Sequence, residues 1–361
     1  MNVSLKDIAM KTGFSITTVS VVLNNKKTRV SIETKELIKK VANELNYIPN
    51  QTAISLVTKE SKTLGLIITD ISNPFFSELS KGISAKAAGY GFNIMLCDTE
   101  DSYELTMRYL RILISKNADG IIMTLSADIK DEKLLMIKEF LENHTIPVVL
   151  VERSDYLSMS DCVVVNHKMG TYLGSRHLIE LGHRKVGCIT GPSHLDATKY
   201  RLNGFKMAFE ENGLQFREEL VVEGNYHIES GYKGAQKILD IDSGVTAIYT
   251  FNDLMAYGVF ECLKDKGIKI PEQISVVGFD DIFFSKILYV PLTTISIPIH
   301  EMGEKAVQLL IERILNNKLP RRCNVVEPRL VVRESTYDIR TLKMKTISYN
   351  GMLSNVHHAN S

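Results

Sequence analysis

Apolar residues along this 361-residue chain follow two different rhythms. In the first 46 residues they recur every three or four positions: Leu5, Ile8 and Ala9, then Val19, Val22 and Leu23, then Leu37, Ile38, Val41 and Leu45. That spacing puts each set on one face of a helix and predicts three short amphipathic helices, over 5–11, from Ser15 onward, and over 32–46. Ser4 and Ser15 stand where side-chain oxygens cap a first turn. Gly13 supplies the backbone freedom of a tight turn, with Phe14 filling the corner between two helices. Such a pair, followed by a third helix, is a helix-turn-helix unit.

With Val19, Val22 and Leu23 turned inward, the second helix shows Ile16, Thr17, Ser20, Val21 and Asn24 on its outer face. In a major groove, Ile16 and Val21 suit thymine methyl groups and Thr17 a base edge. Ser15, Thr18, Ser20 and Asn24 are short polar groups suited to phosphates. The local pattern also admits a three-helix protein-interaction module with a polar outer face.

From residue 61 the rhythm changes. Short apolar runs, at 64–69, 94–97, 120–123, 147–151, 162–165, 186–190, 247–251 and 275–279, alternate with amphipathic helices near 75–90, 103–117, 131–143, 168–182, 200–213, 229–240, 253–266 and 299–317. This alternation predicts doubly wound parallel sheets covered on both faces, and eight strands suit two sheets better than one. Open α/β sheets bind ligands beyond the carboxyl ends of their strands. There the chain carries Asp70, Asn73, Pro74, Phe75 and Phe76, then Gly191 and Pro192 with Arg201 further on, then Asn252 and Asp253, then Asp280 and Asp281. Singly, Asp253 and Asp280 read as helix caps and Phe75 and Phe76 as core. Their shared location makes them a candidate cleft of hydroxyl-binding and ring-stacking groups.

Charge separates the two parts. The net charge is only +1, yet the first sixty residues hold nine Lys/Arg against five Asp/Glu. A basic head on a slightly acidic body is expected where only the head meets phosphate. Five scattered cysteines without paired spacing point to reduced thiols, neither a disulfide framework nor a zinc site. No apolar run is long enough for a bilayer, and Met1–Leu5 opens no signal core, so a cytoplasmic protein without membrane attachment is expected. Neither Gly-x-Gly-x-x-Gly after a strand nor a phosphate loop occurs, and no catalytic set assembles, so no enzyme, metal or cofactor is expected. A periplasmic binding protein is the other alternative that the body alone permits.

The string SLKDIAMKTGFSITTVSVVLNN, with LNYIPNQTAISL downstream, resembles the head of the lactose repressor/purine repressor (LacI/GalR) family. ISNPFFSEL, DGIIM, LGHRKVGCITGP, RLNGF, FNDLMAYGV, GFDD and PLTTI extend the resemblance to about residue 337. It implies a sequence-specific repressor of operator double-stranded DNA, acting as a homodimer. The implied body has two Rossmann-like subdomains of periplasmic-binding-protein type with a small-molecule effector between them. Ile16, Thr17 and Val21 match base-reading positions. Leu56 matches the leucine that wedges into the minor groove from a hinge helix after Pro49, and Ile54 replaces a common Arg. Phe75, Phe76, Met123, Arg201, Tyr226, Asn252 and Asp280 match effector contacts. Leu195 and Ala197 replace polar residues of purine-binding members, which favours a sugar or sugar phosphate. The implied division is a head at 1–48 and a hinge at 49–60. The first subdomain then takes 61–163 with 292–325, the second 164–291 with 326–340. The tail at 341–361 has no heptad pattern and is expected to be disordered, with dimers rather than tetramers; His357 and His358 are too few for a metal site.

Overall fold

The computed structural model describes residues 3–24, 28–49, 60–152 and 160–341. Leu56, Ile54, most of the expected hinge and the tail beyond Thr341 lie outside the described residues. The chain divides into two compact units, Met1–Ser61 and Lys62–Ser361.

In the first unit the helices are α1 (Leu5–Thr12), α2 (Ile16–Leu23) and α3 (Ile32–Glu44). Ile8, Val19, Val22, Ile38, Val41 and Ala42 form its core. Gly13 ends α1 in the left-handed region at φ 77° and donates its N–H to the Ala9 carbonyl, which lets the chain turn within a few residues. Ser15 accepts the Thr18 amide and opens α2. Ser4 is the N-cap of α1, as expected, and its N–H and hydroxyl both donate to Asp7, at 2.8 and 2.7 Å. Leu37, expected inside, is 44% exposed. The buried stripe of α3 is instead Ile38, Val41 and Ala42, because only that face meets the core of the other two helices.

The second unit alternates as expected: β1 (Thr63–Ile68), α4 (Pro74–Gly89), β2 (Asn93–Asp98), α5 (Tyr103–Ser115), β3 (Gly120–Met123), α6 (Asp131–His144), β4 (Val148–Val151), β5 (Asp161–Val165), α7 (His167–Glu180), β6 (Val186–Thr190), α8 (Asp196–Glu211), β7 (Val221–Glu223), α9 (Ile228–Ile241), β8 (Ala247–Thr250), α10 (Asp253–Asp265), β9 (Ser275–Asp280), β10 (Thr293–Ser296), α11 (Ile299–Leu315), β11 (Cys323–Val326) and β12 (Arg329–Val331). Two six-stranded sheets result, ordered β11-β5-β4-β3-β1-β2 and β12-β10-β9-β8-β6-β7, parallel except for β12 on β10. Strands such as β6 and β9 are buried throughout, which is why they read as unbroken apolar runs rather than alternations.

The chain crosses between the sheets after β5, β10 and β11. The middle crossing corrects the expected division: β10 pairs with β9, so residues 293–296 belong to the second sheet. Another correction concerns the cysteines. Cys162 on β5 and Cys323 on β11 are register partners with Cα atoms 4.5 Å apart, joined by a disulfide. Cys97, Cys188 and Cys262 are free and buried. Sequence spacing gives no sign of the pair, because 161 residues separate partners that only the sheet brings together.

Candidate DNA-reading surface and effector cleft

On α2, Ile16 is 48% exposed, Thr17 and Asn24 are exposed, and Ser20 and Val21 are half-buried. The polar members are held in place: Ser15 and Thr18 share a hydroxyl–hydroxyl bond of 2.9 Å, and Asn24 donates to Ser20 at 3.2 Å. The helix itself carries no charge. Attraction to phosphate therefore falls to exposed cations elsewhere on the head, including Lys6, Arg29, Lys39 and Lys40. Such a face offers methyl and hydroxyl contacts to base edges, and the cations supply sequence-independent affinity.

In the body, a cavity of about 250 Å³ lies between the carboxyl ends of the two sheets. From the first subdomain it receives Thr69, Asp70, Asn73, Phe75, Phe76, Asp101, Thr124, Leu125, Ala127, Val151 and Glu152. Pro192, Leu195, Ala197, Arg201, Asn225, Tyr226, His227, Asn252 and Asp280 line it from the second. Asn73 accepts the Phe75 amide and Pro74 opens α4, which fixes both phenyl rings, 5.1 Å apart and edge to face. Tyr226 lies over Gly191, where a Cβ would stand 2.1 Å from the ring carbon Cζ. Only glycine lets the ring sit there. The Tyr226 hydroxyl meets Thr198 at 2.8 Å. Asn252 holds the Tyr226 carbonyl at 2.8 Å through Nδ2 and caps α10 by accepting the Met255 amide.

Arg201 anchors the back wall. Its Nε donates to His167 Nδ1 at 3.2 Å, Nη1 donates to the Phe251 carbonyl, and Nη2 lies 3.7 Å from Asp280. The guanidinium stacks 3.9 Å above the Phe279 ring. His167 Nε2 stands 3.2 Å from a Glu152 oxygen but out of line for a hydrogen bond. Burial lowers the His167 pKa, with Glu152 opposing the shift and the Arg201 cation adding to it. Burial pushes Asp280 well above the ordinary carboxylate range, with Asp253 and Glu152 adding to the effect and Arg201 opposing it. The Asp280 carboxylate is nine-tenths buried and accepts no hydrogen bond among the described residues. Across the mouth, His194 Nε2 approaches the Ala127 carbonyl at 2.6 Å and ties one subdomain to the other.

Six of the seven expected effector residues thus line one cavity. Met123 does not: it is fully buried in the core beside Ile67, Ile121 and Leu150, and its neighbours Thr124 and Leu125 reach the cavity instead. Asp253 is not the cap of α10, a place taken by Asn252; it is buried and accepts bonds from Ser285, Thr294 and the Ile282 amide. Asp101, Glu152, His167, His194 and His227 were missed. Glu152 and His167 carry a signal, since each stands within two residues of the end of an apolar strand; His194 carries none.

A family model described as bacterial regulatory proteins, lacI family, matches residues 4–50. A second, described as periplasmic binding proteins and sugar binding domain of LacI family, matches residues 61–332. The HTH-type transcriptional repressor PurR of Vibrio atlanticus is 36% identical over 336 residues, covering 92% of this chain and 98% of that protein. The HTH-type transcriptional regulator DegA of Bacillus subtilis is 34% identical over 341 residues, covering 94% and 100%. Among solved structures, the lac repressor dimer bound to operator and the anti-inducer ONPF superposes with a TM-score of 0.82 at 26% identity, over 93% of this chain and 100% of that one. The transcriptional regulator CelR–cellobiose complex gives 0.70 at 27% identity, over 92% and 100%. Among the described residues no helix is long and apolar enough to cross a membrane. This chain belongs to the LacI family of bacterial DNA-binding transcriptional regulators: it joins a helix-turn-helix head to an effector-binding body and is not an enzyme.

Proposed function

We propose that this regulator acts as a homodimeric repressor whose operator affinity is set by an unphosphorylated sugar held in the cleft. The observation that carries the reading is Asp280: a nine-tenths-buried carboxylate without a hydrogen bond, opening into the same cavity as Phe75 and Phe76. A buried carboxyl group whose Arg201 neighbour stands 3.7 Å away, beyond hydrogen-bond reach, gains when a ligand supplies closer partners, and a hydroxyl-rich ring supplies several. The phenyl rings offer faces to the apolar side of that ring. Of sugar and sugar phosphate, charge favours the first. Asp70 and Glu152 line the cavity beside Asp101 and Asp280, whose pKa burial raises and which therefore pair with hydroxyls rather than add charge, and two of the Arg201 nitrogens are already committed to His167 and Phe251. Leu195 and Ala197 give an apolar wall where purine-type polar contacts are absent. One relative was solved with cellobiose.

Homodimerisation is supported by an apolar run exposed at Phe283 (61%), Ile287 (60%) and Tyr289 (68%), and the lac repressor relative was solved as a dimer. In the head, Ile16, Thr17 and Val21 read bases while Ser15, Thr18, Ser20 and Asn24 fix register, and Leu56 is the wedge of the hinge. A thermal-shift screen of neutral sugars beside their phosphates and nucleobases tests the effector class. Stabilisation by a neutral sugar, lost in Asp280→Asn, is expected; stabilisation by phosphosugars or nucleobases alone overturns it.

A further inference from the structure

The Cys162–Cys323 bond occupies a particular place in the fold. β5 and β11 run side by side and leave the first sheet side by side: β5 through Asn166 into α7, and β11 through Glu327 and Pro328 into β12. They are two of the three strands that carry the chain between subdomains. Beyond their last paired residues the two crossovers remain joined, since the Asn166 amide donates to the Val326 carbonyl at 3.0 Å and Asn166 Nδ2 reaches Glu327 at 3.1 Å. The disulfide closes the opposite end of this ladder, three residues back on each strand. β11 is an edge strand with exposed positions, held by β5 on one side alone.

The two sulfur-bearing residues differ in access. Cys162 is buried, whereas Cys323 is exposed and follows Arg321 and Arg322 in the chain. A small thiolate therefore reaches the pair from the Cys323 side. The remaining thiols do not compete: burial raises the pKa of Cys97 to about 11 and raises that of Cys188 and Cys262 as well.

We propose that Cys162–Cys323 is a thiol-reducible clamp on the hinge between subdomains, which makes the freedom of the two crossovers depend on the thiol–disulfide balance around the protein. The exchange is a two-electron reduction by a small thiol. One thiolate attacks the Cys323 sulfur, the Cys162 sulfur leaves as thiolate and takes a proton, and a mixed disulfide remains on Cys323. A second thiolate attacks the small-molecule sulfur of that mixed disulfide and frees Cys323, so two thiols leave as one small disulfide. With the bond gone, β11 keeps its backbone ladder to β5 and, at its start, the Arg322–Asp161 pair at 3.3 Å, but loses its covalent tie. The clamp is independent of which ligand fills the cleft.

The full chain is incubated with oxidised glutathione or with dithiothreitol, mapped as non-reduced peptides, and compared by hydrogen exchange and thermal melting. Oxidised protein is expected to yield a peptide linking residues 162 and 323. Reduction should speed exchange over residues 323–328 at least tenfold and lower the melting temperature of the body by roughly 10 °C, as befits a bond closing a long loop. Cys323→Ser should behave as the reduced form in both buffers; should it not fold, the wild-type comparison decides alone. Absence of the linked peptide after oxidation, or equal exchange over 323–328 in both states, overturns the proposal.

Discussion

The head and the cleft do their work with opposite arrangements of the same chain. In the head the candidate reading residues come from one eight-residue helix and face solvent. In the cleft they come from the ends of separate strands and from the loops and helices that follow them, and are mostly buried, with Arg201 only 5% exposed. An exposed helix face pays little to present hydroxyls and methyls, so each residue there can change with small effect on folding. A buried guanidinium is bound into four partners at once, and its removal strands all of them. The lesson is that specificity for DNA can vary residue by residue, whereas the effector site changes as a unit.

Substitutions can break that contrast. The largest effect is expected for Arg201→Ala, which leaves His167, the Phe251 carbonyl and Asp280 unpaired: about 3–5 kcal/mol of body stability, with effector binding abolished. Chemical denaturation and calorimetry measure it; a loss below about 1 kcal/mol means that the guanidinium is no anchor. On the head, operator affinity should fall about a thousandfold between 50 and 200 mM salt, since some six phosphate contacts in a dimer give a log–log slope near −5. A flat salt response contradicts a charge-driven head.

A third prediction uses pH. His183 is buried, bonded through Nδ1 to Thr246 at 2.9 Å and through Nε2 to the Tyr337 carbonyl at 3.1 Å, and burial lowers its pKa to about 4. A depressed histidine pKa means that the unfolded chain binds the proton more readily. Its contribution is therefore present above pH 6.5 and lost as pH falls towards 4, on the order of 3 kcal/mol. His183→Asn should flatten the stability profile between those limits, and an unchanged slope rejects the assignment. Smaller still, Gly191→Ala must displace the Tyr226 ring and is expected to weaken effector binding by roughly 1–3 kcal/mol while sparing operator contacts. Smallest is Ser15→Ala, which removes the α2 cap and costs the head about 1 kcal/mol without moving the melting of the body.

The same contrast decides what could be read from the chain beforehand. Helix periodicity placed Val19 and Val22 inside and Ile16 and Thr17 outside, because a helix face depends on neighbours three and four residues away. It misjudged Leu37, whose exposure depends on where the other helices end. In the body, the eight expected strands are apolar runs of four to six residues, and all but the edge strand β2 are buried along most of their length. β7, β11 and β12 were missed because polar residues, Glu223, Asn324 and Arg329, cut each apolar run to two or three positions. β10 was missed because three of its four residues, though buried, are polar: Thr293, Thr294 and Ser296. Strand-end logic and family resemblance together found Phe75, Phe76, Arg201, Tyr226, Asn252 and Asp280. They misplaced Met123, whose side chain turns into the core layer, and gave no sign of His194 or of the Cys162–Cys323 pairing, which exist only once distant segments are folded together.

The account rests on a cleft that speaks to the head. Its most direct test is fluorescence anisotropy of an operator fragment titrated with the full chain at fixed salt, with and without a saturating concentration of the neutral sugar that stabilises the body. Coupling of about 1–3 kcal/mol predicts a shift in operator Kd of roughly 5- to 150-fold, absent in Asp280→Asn. An operator Kd unchanged within twofold at saturating sugar, in a protein that binds both, would contradict the account.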